Sequence, residues 1–452
     1  MRAVRAVGGL RGISMAQHLA FMQAACGAGE DGALRLAHDA ATFSHMSVLD
    51  RARAQISIVE SLSPGLRGRI DGLDDFVASR EAAAASCCEW DAGKPRDADS
   101  LLLASESFAG GGISPSAADL LVSAGHRLIE QQRHVVSHGR DAPLGRDRAL
   151  GRAVESVVEA LIMIDVSSGH LARQWGAVAR AVALGAQGRP ASGASASLRE
   201  RLEAGTVVGW YSLEALARVA VEDASAFCAE KHGGAPVVRV RVGDGSGRTV
   251  GVAADAGPMR SLLKAPAAGA AAAVVALAHT EYALVEVLKN AMGAHVRRFG
   301  ALDVDDDDLP PITVDVGATR ALAGWRVTDA GGGCADPAAA LDMFSSAAAK
   351  RLPAGVGGSA GGPGGAAEGE DWRYSRAFGA AFSGYGMGLC RSSWYMRVMG
   401  GTGVSLTSLP GVGCIASAMF PRSGGVEDLA AITAAAARAD AAAAAFEAVS
   451  PG

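Results

Sequence analysis

The chain has 452 residues, enough for two or three domains of ordinary size. It is 49% apolar but only 5% aromatic, with mean hydropathy +0.19, so any core is built chiefly from Ala, Val and Leu. A net charge of −5 and a pI of about 6.1 exclude a basic nucleic-acid-binding footprint, and seven cysteines without paired metal spacing read as reduced thiols.

Met1 to Gly29 carries Arg2, Arg5 and Arg11 and no acid before Glu30. That composition predicts a mitochondrial transit segment over residues 1–29, set apart from the fold. Residues 30–200 repeat apolar side chains at i, i+3 and i+4, in Leu34–Met46, Ala118–Val136 and Ala153–Val166, which predicts an antiparallel helical bundle. Cys87 and Cys88 are adjacent and read as small packing residues. Pro190–Ser197 is a Pro/Gly/Ser/Ala break. From Val237–Val242 onward, strand and helix patterns alternate, predicting an α/β sandwich within residues 201–422. The Gly-rich run Pro353–Glu370 is expected to be a lid insertion. Asp428–Val449 is an Ala-dominated helix with few large side chains to dock it, expected as a C-terminal tail over 423–452. No segment is expected to span a membrane; Ala267–Ala278 is too short.

Chemistry concentrates in four stretches. In Glu281–Val296, about 100° per residue puts Leu284, Leu288, Ala291 and His295 on one side of a helix. Tyr282, Glu286, Asn290 and Gly293 fall opposite, with Lys289 at the edge. A carboxylate one turn from an amide can accept a proton while the amide oxygen holds Mg²⁺. Trp325–Cys334 is a β-rich run ending in Asp329 and a Gly331–Gly332–Gly333 cluster. Phe382–Leu389 places Gly384, Gly386 and Gly388 at alternate positions before a helical pattern, which lets backbone N–H groups approach phosphates. Leu406–Phe420 holds a Gly411–Val412–Gly413 turn.

In this order the four stretches resemble the GHKL ATPase superfamily, with its Bergerat-fold nucleotide site. Within it, V-L-K-N-A-M-G-A, the segment Tyr211–Pro236, and Gly388–Gly401 are similar to the mitochondrial α-ketoacid dehydrogenase kinases, as is Leu34–His38 upstream. The resemblance implies an α + α/β fold: an N-terminal helical bundle followed by a GHKL α/β sandwich that binds ATP. It implies that Asn290 coordinates Mg²⁺ and that Glu286 is the general base, with Lys289 beside it. Asp329 would bond the adenine amino group, Gly331 and Gly333 would shape the pocket, and Gly384, Tyr385, Gly386, Met387, Gly388 and Leu389 would wrap the phosphates. The implied reaction is transfer of the ATP γ-phosphoryl group to a serine of E1α, the decarboxylase α subunit of an α-ketoacid dehydrogenase complex, in the mitochondrial matrix. The lipoyl-bearing E2 is the implied second partner, and a homodimer the implied assembly. Tyr282, four residues before Glu286, favours the branched-chain member over the pyruvate one.

Five departures accompany the resemblance. Cys414 stands where the family has Thr after G-x-G, Ile164–Arg173 stands where the bundle carries S-R-L-G-I-R, and the family's C-terminal Asp-Trp is missing. Cys390 and Ser393 replace a Pro and an Arg in the Gly388–Gly401 stretch. A thiol is a weaker donor than a hydroxyl. Two other readings therefore stand beside the kinase: a sensor histidine kinase, for which only His38 is followed directly by an acid, and a non-catalytic ATP-binding scaffold. His38 and His170 read as bundle residues.

Overall fold

The apolar i, i+3, i+4 pattern of the first part of the chain folds as helices in a computed structural model that describes residues 2–27, 30–88, 120, 144–186, 208–243, 249–252, 271–300, 309–341 and 388–449. These helices are α1 (Arg2–Val7), α2 (Met15–Gly27), α3 (Glu30–Glu60), α4 (Pro64–Arg67), α5 (Leu73–Cys88) and α6 (Leu144–Ala186). α3, α5 and α6 lie along one another, and α6 is buried all round from Val157 to Ser167, as suits the central helix of a bundle. Polar contacts fix the register: Gln55 donates to the Leu161 carbonyl at 2.9 Å, and Arg80 pairs with Asp165 at 2.8 Å. Of the expected elements, Pro190–Ser197, Pro353–Glu370 and all of Ala118–Val136 except Leu120 lie outside the described residues.

The second part is mixed α/β. It runs β1 (Val208–Ser212), α7 (Leu213–His232), β2 (Val238–Gly243), β3 (Thr249–Val252), β4 (Ala272–Ala276), α8 (Leu277–Phe299), β5 (Ile312–Ala318), β6 (Leu322–Thr328), α9 (Pro337–Leu341), α10 (Gly388–Val398), β7 (Val404–Leu409) and β8 (Gly413–Pro421), before a last helix α11 (Leu429–Val449). Six strands form one sheet in the order β3-β2-β5-β6-β8-β7, parallel only between β2 and β5; β1 and β4 pair separately. Alternation sets the core face. Val314, Val316, Ala323, Trp325, Val327, Ala416, Ala418 and Phe420 point inward, while Thr313, Asp315, Arg326, Ile415 and Met419 point out. α7, α8 and α10 pack on the inward side. Among the described residues no helix covers the other side. The β7–β8 hairpin closes through Pro410 and Gly411, whose φ of 80° is the left-handed conformation a type II turn needs at its third position.

Two segments sit differently from the sequence expectation. The Ala-rich end is a fourth bundle member rather than an undocked tail: α11 lies on α6 and α1, burying Ile432, Ala435, Ala436, Ala439 and Phe446. Alanine supplies little area, but it lets helix axes approach closely, and a few larger side chains complete the seam. By length and composition α11 is also apolar enough to cross a membrane, although it carries Arg438, which bonds Glu159 of α6, and Asp440. Residues 2–27, expected to stand apart, are folded into the bundle. Val7, Leu10, Ile13 and Met15 are buried, and Asp440 accepts the backbone N–H groups of Arg2, Ala3 and Val4 at 2.7–3.1 Å, capping α1.

One buried carboxylate joins these pieces. Asp428, just before α11, accepts from the Ile13 N–H at 2.8 Å, from Arg51 of α3 at 3.1 Å and from the Ser167 hydroxyl. Arg51 is 1% exposed, so Asp428→Ala would leave its charge buried without a carboxylate and should cost about 3–5 kcal/mol; urea unfolding measures this. His18 packs in the same region, and burial holds its pKa down to about 4, with Arg51 adding to the effect and Asp428 opposing it. The unfolded chain takes up this proton near 6.5. The stability that neutral His18 contributes is therefore complete above that pH and is lost as pH falls toward 4. At pH 5 wild type should have lost about 2 kcal/mol relative to pH 7 through this group, a loss absent from His18→Gln in matched urea titrations.

Candidate functional site

α8 follows β4 directly and presents two faces. Leu284, Leu288, Ala291 and His295 are buried. At successive steps of four, Glu286, Asn290, Ala294 and Arg298 line one accessible side. Glu286 accepts from Lys289 at 2.7 Å, and the Lys289 ammonium sits 4.5 Å from the centroid of Phe227 on α7. The Asn290 amide nitrogen donates to the Glu286 carbonyl at 2.8 Å, so its oxygen is directed to another partner.

Three glycines bring distant backbone onto this helix and its neighbours. A Cβ on Gly388, the first residue of α10, would lie 3.0 Å from the Glu286 Cδ and closer still to Oε2. One on Gly331 would be 2.5 Å from the Ala294 Cβ, two turns further along α8. One on Gly413 would be 2.8 Å from the Asp329 carbonyl carbon. Gly333, at φ 78°, passes equally close to the Leu409 carbonyl. The accessible side of α8 thus has backbone packed close at both ends, with Asn290 between them.

Asp329 forms the inner end. β6 and β8 pair as far as Thr328 opposite Ile415, which brings Asp329 beside Cys414. Its Oδ1 accepts from the Gly331 N–H at 2.7 Å and from the Cys414 N–H at 3.3 Å. Burial raises its pKa above the usual carboxylate range, against those two hydrogen bonds and the nearby His295. Arg298 ties the loop down, donating to the carbonyls of Ala330 at 2.7 Å and Val412 at 2.6 Å. Cys414 lies opposite Ser408 in the β7–β8 pair, with its sulfur 4.0 Å from that of Cys334. Burial pushes its thiol up to about 11, with a Ser408 hydrogen bond acting the other way and the charge of Asp329 adding to the rise.

Glu286, Lys289, Asn290, Asp329, Gly331, Gly333, Gly388, Leu389 and Cys414 thus gather along α8 and the strand ends facing it. Gly384, Tyr385, Gly386 and Met387 lie outside the described residues. Lys289 is engaged with Glu286 rather than pointing alone into the cleft. Sequence reasoning missed the cluster behind the helix. Arg391 of α10 donates to the Tyr395 hydroxyl at 2.6 Å and lies 4.7 Å from the Tyr282 centroid. Burial disfavours its charge, but Tyr395, Tyr282 and Glu286 hold its pKa above the ordinary arginine value. Tyr395 stacks on His279, and His279 bonds His170 of α6. His170 therefore belongs to the seam between bundle and sheet as well as to the bundle. Arg298 could have been found by extending the four-residue step one more turn; the pairing of Arg391 with two tyrosines has no sequence signature.

The close glycine contacts are met by protein atoms, so each glycine lets backbone pack directly on α8 or on a neighbouring strand end. Among the described residues no three His, Cys, Asp or Glu side chains cluster as a metal site. The Asn290 oxygen is a hard donor of the type Mg²⁺ accepts alongside water and phosphate oxygens. Gly388→Ala should leave stability within about 1 kcal/mol, because the methyl meets the end of a side chain. It should displace the Glu286 carboxylate from the Lys289 ammonium; thermal unfolding reads the first effect and a crystal structure of the variant the second. No protein-family model matches the chain, and no curated protein matches it.

Proposed function

We propose that the chain is an ATP-dependent protein-serine kinase of the GHKL type, with a Bergerat-fold nucleotide site beside α8. One observation carries the reading: a single helix face receives Gly388 at Glu286 and Gly331 at Ala294, with the exposed Asn290 between them. That order along the helix suits a base, a cation donor and a base-recognition loop in one line.

In this reading Asp329 accepts from the adenine amino group through its second carboxylate oxygen, the first being held by Gly331 and Cys414. Arg298 keeps the loop in place by binding two of its carbonyls. Bound Mg²⁺ would supply charge screening on the phosphates, with the Asn290 amide oxygen as its protein ligand. Glu286 orients the substrate hydroxyl and takes its proton, while Lys289 fixes the carboxylate rotamer from the side. Phosphoryl transfer asks mainly for such positioning.

The substrate we propose is a serine of E1α, with the lipoyl-bearing E2 as docking partner and the mitochondrial matrix as the compartment. Tyr282 packs edge-on against Tyr395, 5.4 Å between centroids, and favours the branched-chain complex on the sequence grounds given above. A homodimer is proposed on the uncovered sheet face, where Ile415 and Met419 are exposed. A second reading, a nucleotide-binding scaffold without turnover, draws on the Glu286–Lys289 ion pair, which occupies the carboxylate.

Incubation with labelled Mg-ATP and each purified dehydrogenase complex discriminates. The kinase reading expects phosphoserine on the decarboxylase α subunit and loss of complex activity. Glu286→Gln should lower the rate by about 10²–10⁴-fold, and Asn290→Ala should weaken Mg-ATP binding. Nucleotide binding without transfer favours the scaffold, and acid-labile phosphate on the chain itself favours a histidine kinase; either result sinks the serine-kinase reading.

A further inference from the structure

Two thiols meet at the inner end of the cleft. Cys334 ends the G-G-G-C loop, and Cys414 opens β8; their sulfurs lie 4.0 Å apart although the residues are far apart in sequence. Neither is deeply buried, so a small solute reaches both. Ser408 holds the pair in place: its Oγ accepts from the Cys334 N–H at 2.7 Å and donates to the Cys334 carbonyl at 2.8 Å. The residues flanking both thiols grip one carboxylate, since Asp329 Oδ1 accepts from the Gly331 N–H and from the Cys414 N–H.

We propose that Cys334 and Cys414 form a peroxide-sensitive dithiol whose oxidation to a disulfide closes the inner end of the cleft and weakens nucleotide binding. The effect on nucleotide rests on the ATP-site reading; the modification itself does not. The chemistry balances with peroxide as oxidant. The Cys334 sulfur attacks the peroxide O–O bond, giving a sulfenic acid and one water. The Cys414 sulfur then attacks the Cys334 sulfur, the S–S bond forms, and hydroxide leaves to take up the Cys414 proton as a second water. Two thiols and one peroxide become one disulfide and two waters, and an added dithiol returns the electrons. The order follows from the surroundings: burial keeps Cys414 in its thiol form at neutral pH, so the first step falls to Cys334. The second step is intramolecular, with the Cys414 sulfur already 4.0 Å from that of Cys334, which favours it despite the small thiolate fraction of Cys414.

Closure requires the sulfurs to approach from 4.0 Å to about 2 Å. The loop is the partner that has to give: Gly332 and Gly333, with φ of 93° and 78°, carry no Cβ to resist a shift, against the hold of Arg298 on Ala330 and of Gly332 on the β7–β8 turn. β8 is held between two strands. Drawing the loop onto β8 moves Gly331 and Asp329 together, because Asp329 is bonded to both sides, and takes the second Asp329 oxygen out of line for adenine.

The test uses the full-length protein, treated with hydrogen peroxide and digested without reduction. Mass spectrometry should find a peptide pair joined through Cys334 and Cys414, lighter by two hydrogens. A fluorescent ATP analogue should bind at least tenfold more weakly to the oxidised protein and recover with dithiothreitol, while Cys334→Ser shows neither change. Absence of the joined peptide overturns the proposal. So does a disulfide that leaves the affinity of a nucleotide-competent protein unchanged. If the reduced protein binds no nucleotide, the ATP reading fails and the joined peptide alone decides whether the dithiol is a modification site.

Discussion

Backbone has to reach α8 and its strand neighbours without a side chain in the way, and the architecture of the cleft follows from that constraint. At Gly388, Gly331 and Gly413 a methyl group would overlap Glu286, Ala294 or the Asp329 carbonyl. Each glycine carries an entropic cost on folding of up to about 1 kcal/mol relative to alanine, and three in one place let main chain pack directly against α8 and Asp329. The helix can afford no bulk there, which explains why Ala294 stands between Asn290 and Arg298. Arg298 then offsets the looseness of a glycine loop by binding the Ala330 and Val412 carbonyls from outside.

The junction between bundle and sheet is polar where an apolar seam would have been simpler. Glu159 of α6 takes Arg397 from α10 and Arg438 from α11, and His170 of α6 meets His279 of α8. Arg391, Tyr395 and Tyr282 continue that chain of contacts to within the field of Glu286. Buried charges contribute little net stability, since desolvation cancels most of their attraction. Their geometric demands are strict, however, and they fix how α10 meets both layers. The helix that opens with Gly388 is thus tied to the bundle at its far end by Arg397 and held against α8 by Arg391.

Much of this could be read from the residues, and the failures have a common cause. The two faces of α8 were legible because a long helix with Leu284, Leu288 and Ala291 on one side leaves little choice. β5 was legible as strict alternation from Ile312 to Ala318. The docking of α11 was not, because alanine carries no strong signature: close approach depends on what lies opposite, and α6 lies far away in sequence. The packing of residues 2–27 was out of reach in the same way. An acid-free, Arg-bearing composition says nothing of Asp428 and Asp440, the carboxylates from the other end of the chain that hold the segment. Lys289 was legible at the edge of the polar face, but the Phe227 ring beneath it comes from α7, beyond any local pattern.

Cys414 shows how far one position can alter a floor built from strand ends. A hydroxyl there would offer a strong donor toward the cleft; the thiol offers a weak one. Ser408 lies directly across the strand pair and carries a hydroxyl, yet it does not take that place. Its donor is committed to the Cys334 carbonyl, and its acceptor capacity to the Cys334 N–H. Cys414 thus brings its sulfur to 4.0 Å from that of Cys334, beside Asp329. The carboxylate makes up part of the deficit through the backbone, because the Cys414 N–H, which any residue but proline would supply, is the group that bonds it. Asp329 thus keeps its place whatever side chain stands at 414.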